Sequence, residues 1–207
     1  MRDPDDHHIA ALRAAASGPG LTLFRHPKMD ADGVVYGRSN PPFADVAARQ
    51  IEDACRRALA LRLSPPELVS SPAERALALA GPLSEALGVG VRVDHRLHEL
   101  DFGAWEGTRW DALDRAVSDP WAADPWRLAP PGGESFGALA ERVGAALADA
   151  AAGAVLVCHA GPIRAAWMLR QGLGMKDAFA RAVEYAAPTP LPAREARGGG
   201  ADGLGGA

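Results

Sequence analysis

Twice in this chain a histidine closes an apolar run: Leu21-Thr22-Leu23-Phe24 ends in Arg25-His26, and Val155-Leu156-Val157-Cys158 ends in His159. Proline follows within a few residues each time, at Pro27 and Pro162. A short apolar run bounded by turn residues reads as a buried strand, so each histidine falls where a strand stops and the chain turns over. A third junction repeats the pattern, with Leu68-Val69-Ser70 running into Ser71-Pro72 and Arg75 one turn into the next segment. In open α/β sheets ligands bind at the carboxyl edge of the strands. Gathered on that rim, His26, His159, Arg25 and Arg75 would form a site for a doubly charged oxyanion such as phosphate.

Strands and helices alternate between these junctions. Asp45 can cap a helix whose apolar face is Ala47, Ile51, Ala54, Cys55, Ala58 and Leu59. Pro72 suits the first position of the next helix, Pro82 should kink or split it, and Gly88 should end it. A short strand at 91–94 leads to a segment, 98–107, that crosses the sheet edge. Trp105, Trp110, Trp121 and Trp126 then cluster with prolines, which predicts a compact helical cap fixed by aromatic rings. The helix after Gly133 buries Phe136, Leu139, Val143, Leu147 and Ala150. Strand 154–158, a helix from Pro162 to about Gln171, and a last strand in the β-rich Ala182-Val183-Glu184-Tyr185 complete the reading. Such alternation predicts a three-layer α/β/α sandwich with a largely parallel central sheet. At 207 residues and 48% apolar, the chain has material for one such core. The expected organisation is an N-terminal extension outside the core (1–20), one domain (21–190) with a cap insertion at about 98–133, and a glycine-rich flexible tail (191–207).

Composition removes several classes of partner. A net charge of −4 and a pI near 5.9 give no basic field for nucleic acid. No apolar stretch approaches the roughly 20 residues that span a bilayer, and Met1-Arg2-Asp3-Pro4-Asp5-Asp6 lacks the regions of a signal peptide, so a cytoplasmic location without membrane contact is expected. Cys55 and Cys158 have no C-x-x-C spacing and read as small buried hydrophobes. His7-His8 stands alone and suggests no metal role.

Phosphoryl transfer needs positioned cations and an in-line nucleophile. The chain has no G-x-x-x-x-G-K-[ST] pattern and no evident carboxylate cluster for magnesium, which leaves covalent catalysis by a side chain. A neutral imidazole is nucleophilic near neutral pH and can later release the phosphoryl group to water. The helix opening at Gly161-Pro162 would point free N–H groups at the same anion. Glu99 is the best-placed acid to protonate a leaving alkoxide.

In their order, Leu23-Phe24-Arg25-His26, Ser70-Ser71-Pro72-Ala73-Glu74-Arg75-Ala76, His98-Glu99-Leu100-Asp101-Phe102-Gly103 and Val157-Cys158-His159-Ala160-Gly161 resemble the histidine phosphatase superfamily, the phosphoglycerate mutase-like proteins, over about residues 21 to 187. The resemblance implies that fold and a phosphohistidine mechanism without metal or other cofactor. It makes His26 the nucleophile, Arg25, Arg75 and His159 the phosphate pocket, and Glu99 the proton donor. The segments 33–42, 103–107 and 130–135 look most like the α-ribazole phosphatase group of cobalamin synthesis. Three positions depart from the family pattern. The usual Arg-His-Gly-Glu is Arg25-His26-Pro27-Lys28, and Asp32 stands where many relatives have asparagine. An ionised Asp32 beside phosphate would repel it, so it should point away, or else the alignment shifts in that loop.

The expected partner is therefore a small phosphomonoester such as α-ribazole phosphate, with Arg38 and Trp105 as substrate-binding residues and a homodimer left open. The alternatives are a phosphoglycerate mutase-like enzyme and a catalytically inactive phosphate-binding regulatory module on the same fold.

Overall fold

The computed structural model describes residues 4–16 and 18–194. Its centre is a five-stranded sheet built from β1 (Leu21–Arg25), β2 (Leu68–Ser70), β3 (Val91–Val93), β4 (Val155–Cys158) and β5 (Pro188–Leu191), in the order β3-β2-β4-β1-β5. All neighbours are parallel except β5, which runs antiparallel to β1. The strands at the centre are buried on both faces, and their side chains divide by period two. Leu21, Leu23, Leu156 and Cys158 enter one core with α5 (Phe136–Asp149) and α6 (Ala160–Ala166). Phe24, Val155 and Val157 enter another with α2 (Ala47–Ala60) and α3 (Glu74–Leu87). This is the expected three-layer sandwich with a largely parallel sheet. Among the described residues no helix is long and apolar enough to cross a membrane.

Several local expectations are corrected. The N-terminal segment is not outside the core: it forms α1 (Pro4–Ala15), whose Ile9 and Leu12 pack against the α5 side while Arg13 Nε donates to the Met168 carbonyl at 3.0 Å. The start of the supposed tail is tied down too, because Gly18 and Arg194 exchange backbone hydrogen bonds of 2.8 Å each. The rest of that tail, 195–207, lies outside the described residues. In α2 the N-cap is Val46 rather than Asp45, and Leu59 faces solvent while the small Ala54 and Ala58 are buried.

Helix α3 starts at Glu74, two residues after Pro72, and runs unbroken through Pro82 to a left-handed Gly88. Burial of Leu79, Ala80 and Leu83 outweighs the one helical bond that Pro82 forgoes. After β4 the chain turns into α6 at Ala160, two residues earlier than expected, and then continues as a π-helical turn, Trp167–Gln171. The last strand is β5, not 182–185. Its prolines are tolerated because β5 is an edge strand, and Ala186, with φ of 49°, turns the chain into it.

The helix in the segment read as a cap is α4 (Arg115–Ala123). Trp121 meets Trp105 edge-on at 5.2 Å and stacks on Trp110 at 6.0 Å. Trp126 belongs instead to the main core, beside Phe136.

Candidate active site

The rim follows from the sheet register. Ladder bonds continue one residue past the strands, His26 N–H donating to the Cys158 carbonyl at 3.0 Å and Ser71 N–H to the Val157 carbonyl at 2.9 Å. They hold the residues that follow β1, β4 and β2 side by side, and the rings of His26 and His159 lie 5.1 Å apart. His26 Nδ1 is 2.7 Å from the Pro27 carbonyl. A carbonyl only accepts, so Nδ1 carries the hydrogen and Nε2 keeps its lone pair. Burial, then the charges of Arg75 and Arg25, push the His26 pKa well below the usual histidine value, so the ring is neutral at pH 7.

Arg25, His26 and Glu99 line one cavity of about 330 Å³, with Tyr36, Arg164 and Tyr185. Arg25 Nη1 donates to the Val183 carbonyl at 2.8 Å, and its guanidinium lies 3.6 Å over the Tyr185 ring. His159 and Arg75 are fully buried and do not line the cavity. His159 Nε2 is 2.8 Å from Ser71 Oγ while its Nδ1 is buried without a partner. Burial, then Arg75 and His26, hold the His159 pKa well below its ordinary value. Arg75 departs furthest from expectation. Its Nη1 donates to the Ser39 carbonyl at 2.8 Å and to Asn40 Oδ1 at 3.1 Å, and its Nη2 to the Gly37 carbonyl at 2.6 Å. The fork expected to face phosphate holds the 37–40 loop instead, and its charge acts on His26 from behind.

Glu99 is held from two sides. Its Oε1 accepts the Leu100 N–H at 2.9 Å and the Gly161 N–H at 3.1 Å. The helix N–H expected to meet the anion is thus taken by the carboxylate. A Cβ on residue 161 would overlap Glu99 Oε1, so only glycine permits this approach. The Glu99 carbonyl accepts Arg142 Nη2 at 3.0 Å, and Arg142 Nη1 donates to the Arg96 and His98 carbonyls at 2.7 Å each. Arg142 is in turn paired with Glu134, which also accepts the Asp101 N–H at 3.0 Å.

The loop 33–42 is strapped by Glu106. This carboxylate accepts the N–H groups of Gly37, Arg38 and Ser39 and the Ser39 hydroxyl. Burial would raise its pKa, but these hydrogen bonds outweigh burial and hold it below the usual carboxylate value. Neither expected substrate residue reaches the cavity. Arg38 lies 3.6 Å from Asp101 and 3.5 Å from Glu134, and Trp105 is buried between Val35 and Leu113 because its ring fills the gap under the cap.

Residues not named as site residues from the sequence line the cavity in their place: Tyr36, Tyr185, Phe102, Arg164 and Trp110, the last of which the sequence marks only as part of the aromatic cap. Arg164 lies on α6, five residues after His159, and no helical repeat from that histidine marks it. Asp32 borders the cavity mouth with its side chain 82% exposed and its charge paired to Lys28 at 3.0 Å. Among the described residues no group of His, Cys, Asp and Glu side chains is arranged to hold a metal ion.

The family model for the histidine phosphatase superfamily (branch 1) matches residues 21–198. The chain belongs to that superfamily. It is 37% identical over 158 residues to a bifunctional protein of Mycobacterium tuberculosis, covering 68% of this chain but 42% of that protein. The chain therefore spans less than half the length of that relative. It is 28% identical over 166 residues to a putative phosphoserine phosphatase of Hydrogenobacter thermophilus, covering 76% of this chain and 81% of the relative. Among solved structures, a mycobacterial glucosyl-3-phosphoglycerate phosphatase superposes with a TM-score of 0.65 at 27% identity over 84% of this chain and 89% of that one. The α-ribazole phosphatase of Shigella flexneri superposes with a TM-score of 0.73 at 22% identity over 83% and 89%, a likeness of fold.

Proposed function

We propose that the chain is a phosphomonoesterase working through a phosphohistidine on His26. The observation that carries this reading is the 2.7 Å contact from His26 Nδ1 to the Pro27 carbonyl, which fixes the tautomer with Nε2 nucleophilic in a cavity that also holds Arg25, Arg164 and Glu99. In the first step Nε2 attacks phosphorus, the P–O ester bond breaks, and protonated Glu99 gives its proton to the departing alcohol oxygen. In the second, Glu99 takes a proton from water, the water oxygen attacks phosphorus, and the N–P bond breaks to release inorganic phosphate. Arg25 and Arg164 balance charge on the equatorial oxygens, with buried Arg75 adding to the field. The retention of both histidines, the acid and the cations in one place favours an enzyme over an inactive phosphate-binding module. Relatives named as phosphatases support hydrolysis.

Incubation with a labelled phosphomonoester should trap one phosphate per chain, labile in acid and stable in base, at a rate that a chelator leaves unchanged. His26→Ala should abolish the adduct and lower kcat by about 10⁴-fold or more. Full turnover in His26→Ala, or a metal requirement, sinks the reading.

A further inference from the structure

Beside the catalytic cavity lies a smaller slot of about 170 Å³. Glu99, Phe102, Trp110 and Arg164 line both. The slot's other walls are Leu100, Trp121, Pro125, Phe136, Gly161 and Phe179. Aromatic edges rather than hydrogen bonds set its shape: Phe102 meets Trp110 at 88° and 5.5 Å, and Phe136 meets Phe179 at 63° and 5.1 Å. Of the four shared residues one is a cation. The Arg164 guanidinium lies 4.9 Å over the Phe179 ring, and its Nε is buried without a hydrogen-bond partner.

An acid that protonates a leaving oxygen must touch it, so whatever that oxygen carries continues past Glu99. Glu99 lines this slot as well as the catalytic cavity. A dry apolar cavity of about 150 Å³ accepts a benzene molecule, so the slot has room for one flat ring. An acidic or heavily hydroxylated group would lose its hydration there, with little beyond Arg164 and the unpartnered Trp121 indole N–H to replace it.

We infer that the slot is the leaving-group subsite and that it takes one aromatic or similarly flat apolar ring, which makes the substrate class the phosphate monoesters of ring-bearing alcohols. This rests on the phosphohistidine reading of the adjoining cavity. Binding energy from a ring remote from phosphorus can be used to raise turnover without touching the chemistry.

The experiment compares 2-phenylethyl phosphate, propyl phosphate and 3-phosphoglycerate on the full chain. The first two have leaving alcohols of similar basicity and differ in the ring. The ring ester should lead both others in kcat/KM by at least about 10-fold, and Phe179→Ala and Trp121→Ala should each narrow that lead. Calorimetry of the same esters on His26→Ala reads the slot without turnover, and the ring ester should bind about 10-fold tighter there too. Equal kcat/KM and equal Kd for phenylethyl and propyl phosphate overturn the inference, as does a lead that neither variant narrows. A ring preference in binding with no phosphate ever trapped on His26 would instead remove the phosphohistidine reading and leave the slot assignment standing.

Discussion

The strand-end half and the loop half of this site are held by different forces. His26, His159 and Ser71 sit at strand ends, aligned by backbone bonds that prolong the parallel ladder. Opposite them, the 33–42 loop and the 98–107 segment have no regular ladder. They hang on carboxylates that collect N–H groups, Glu106 for the first, and Glu134 with Arg142 for the second. The first half opens only when the central sheet opens, whereas the second depends on a few polar contacts near solvent and belongs to the less stable end of the molecule. A chemistry common to a superfamily is thereby built into the sheet. What distinguishes one substrate from another is built into parts that can change without disturbing it.

The sharpest way to break this contrast is at the point where the halves meet, Gly161 against Glu99. In Gly161→Ala the new Cβ would displace the Glu99 carboxylate and press on Leu139 Cδ1 at 3.1 Å, both of them side-chain ends that can move without unfolding α6. General acid catalysis is worth about 10²- to 10⁴-fold, and a poor leaving group needs it most. Gly161→Ala should lower kcat/KM on an alkyl phosphate within that range but on p-nitrophenyl phosphate by less than about 10-fold. Glu99→Gln should show the same split. Equal losses on both esters would mean that Glu99 is not the proton donor.

A smaller effect should separate the halves by pH. Glu106 has a folded pKa held below its ordinary 4.5. A depressed carboxyl contributes stability that is fully present above the unfolded value and is lost as pH falls through the folded one. Glu106→Gln should therefore lower Tm at pH 7 by about 2–6 °C, as for the loss of about 1–2 kcal/mol in a domain of this size. The gap should close as the pH drops below about 4.5, while the phosphohistidine formed at pH 7 keeps its yield. A Tm gap independent of pH would show that the carboxylate charge does not hold the loop.

The same contrast governs what could be read from the sequence. The strand ends were legible because a buried parallel strand needs an unbroken apolar run, and Leu21–Phe24 and Val155–Cys158 are such runs. So was α5, where Phe136, Leu139, Val143 and Leu147 recur at helical spacing. Periodicity reports which face of an element is buried, not what a distant loop brings to it. Arg142 holds carbonyls 43 to 46 residues away, which no local pattern records. Trp105 and Trp110 are alike in a list of aromatics, yet the first is enclosed by Val35 and Leu113 while the second lines the cavity. Leu59 and Asp45 fit a helix pattern and a cap rule, but α2 packs through Ala54 and Ala58, small residues that let it approach α3 closely.

The mildest test concerns Asp32, a charge of the wrong sign at the mouth of an anion site. Its side chain is 82% exposed and lies 3.0 Å from the Lys28 ammonium, so the pair presents a dipole rather than a net charge to an approaching phosphate. A surface pair of this kind contributes at most about 1 kcal/mol. A dianion some 8 Å from a single unit charge in water feels roughly the same, before salt weakens it further. Asp32→Asn frees Lys28 to act as an unpaired cation and should raise kcat/KM by about 2- to 4-fold at low ionic strength, through association, with kcat unchanged. The gain should disappear in 0.5 M salt, where the Debye length is about 4 Å. A loss of activity in Asp32→Asn would mean that the carboxylate holds the substrate loop rather than merely bordering it, and a gain that survives high salt would place Asp32 against the bound phosphate, inside the half of the site built at the strand ends.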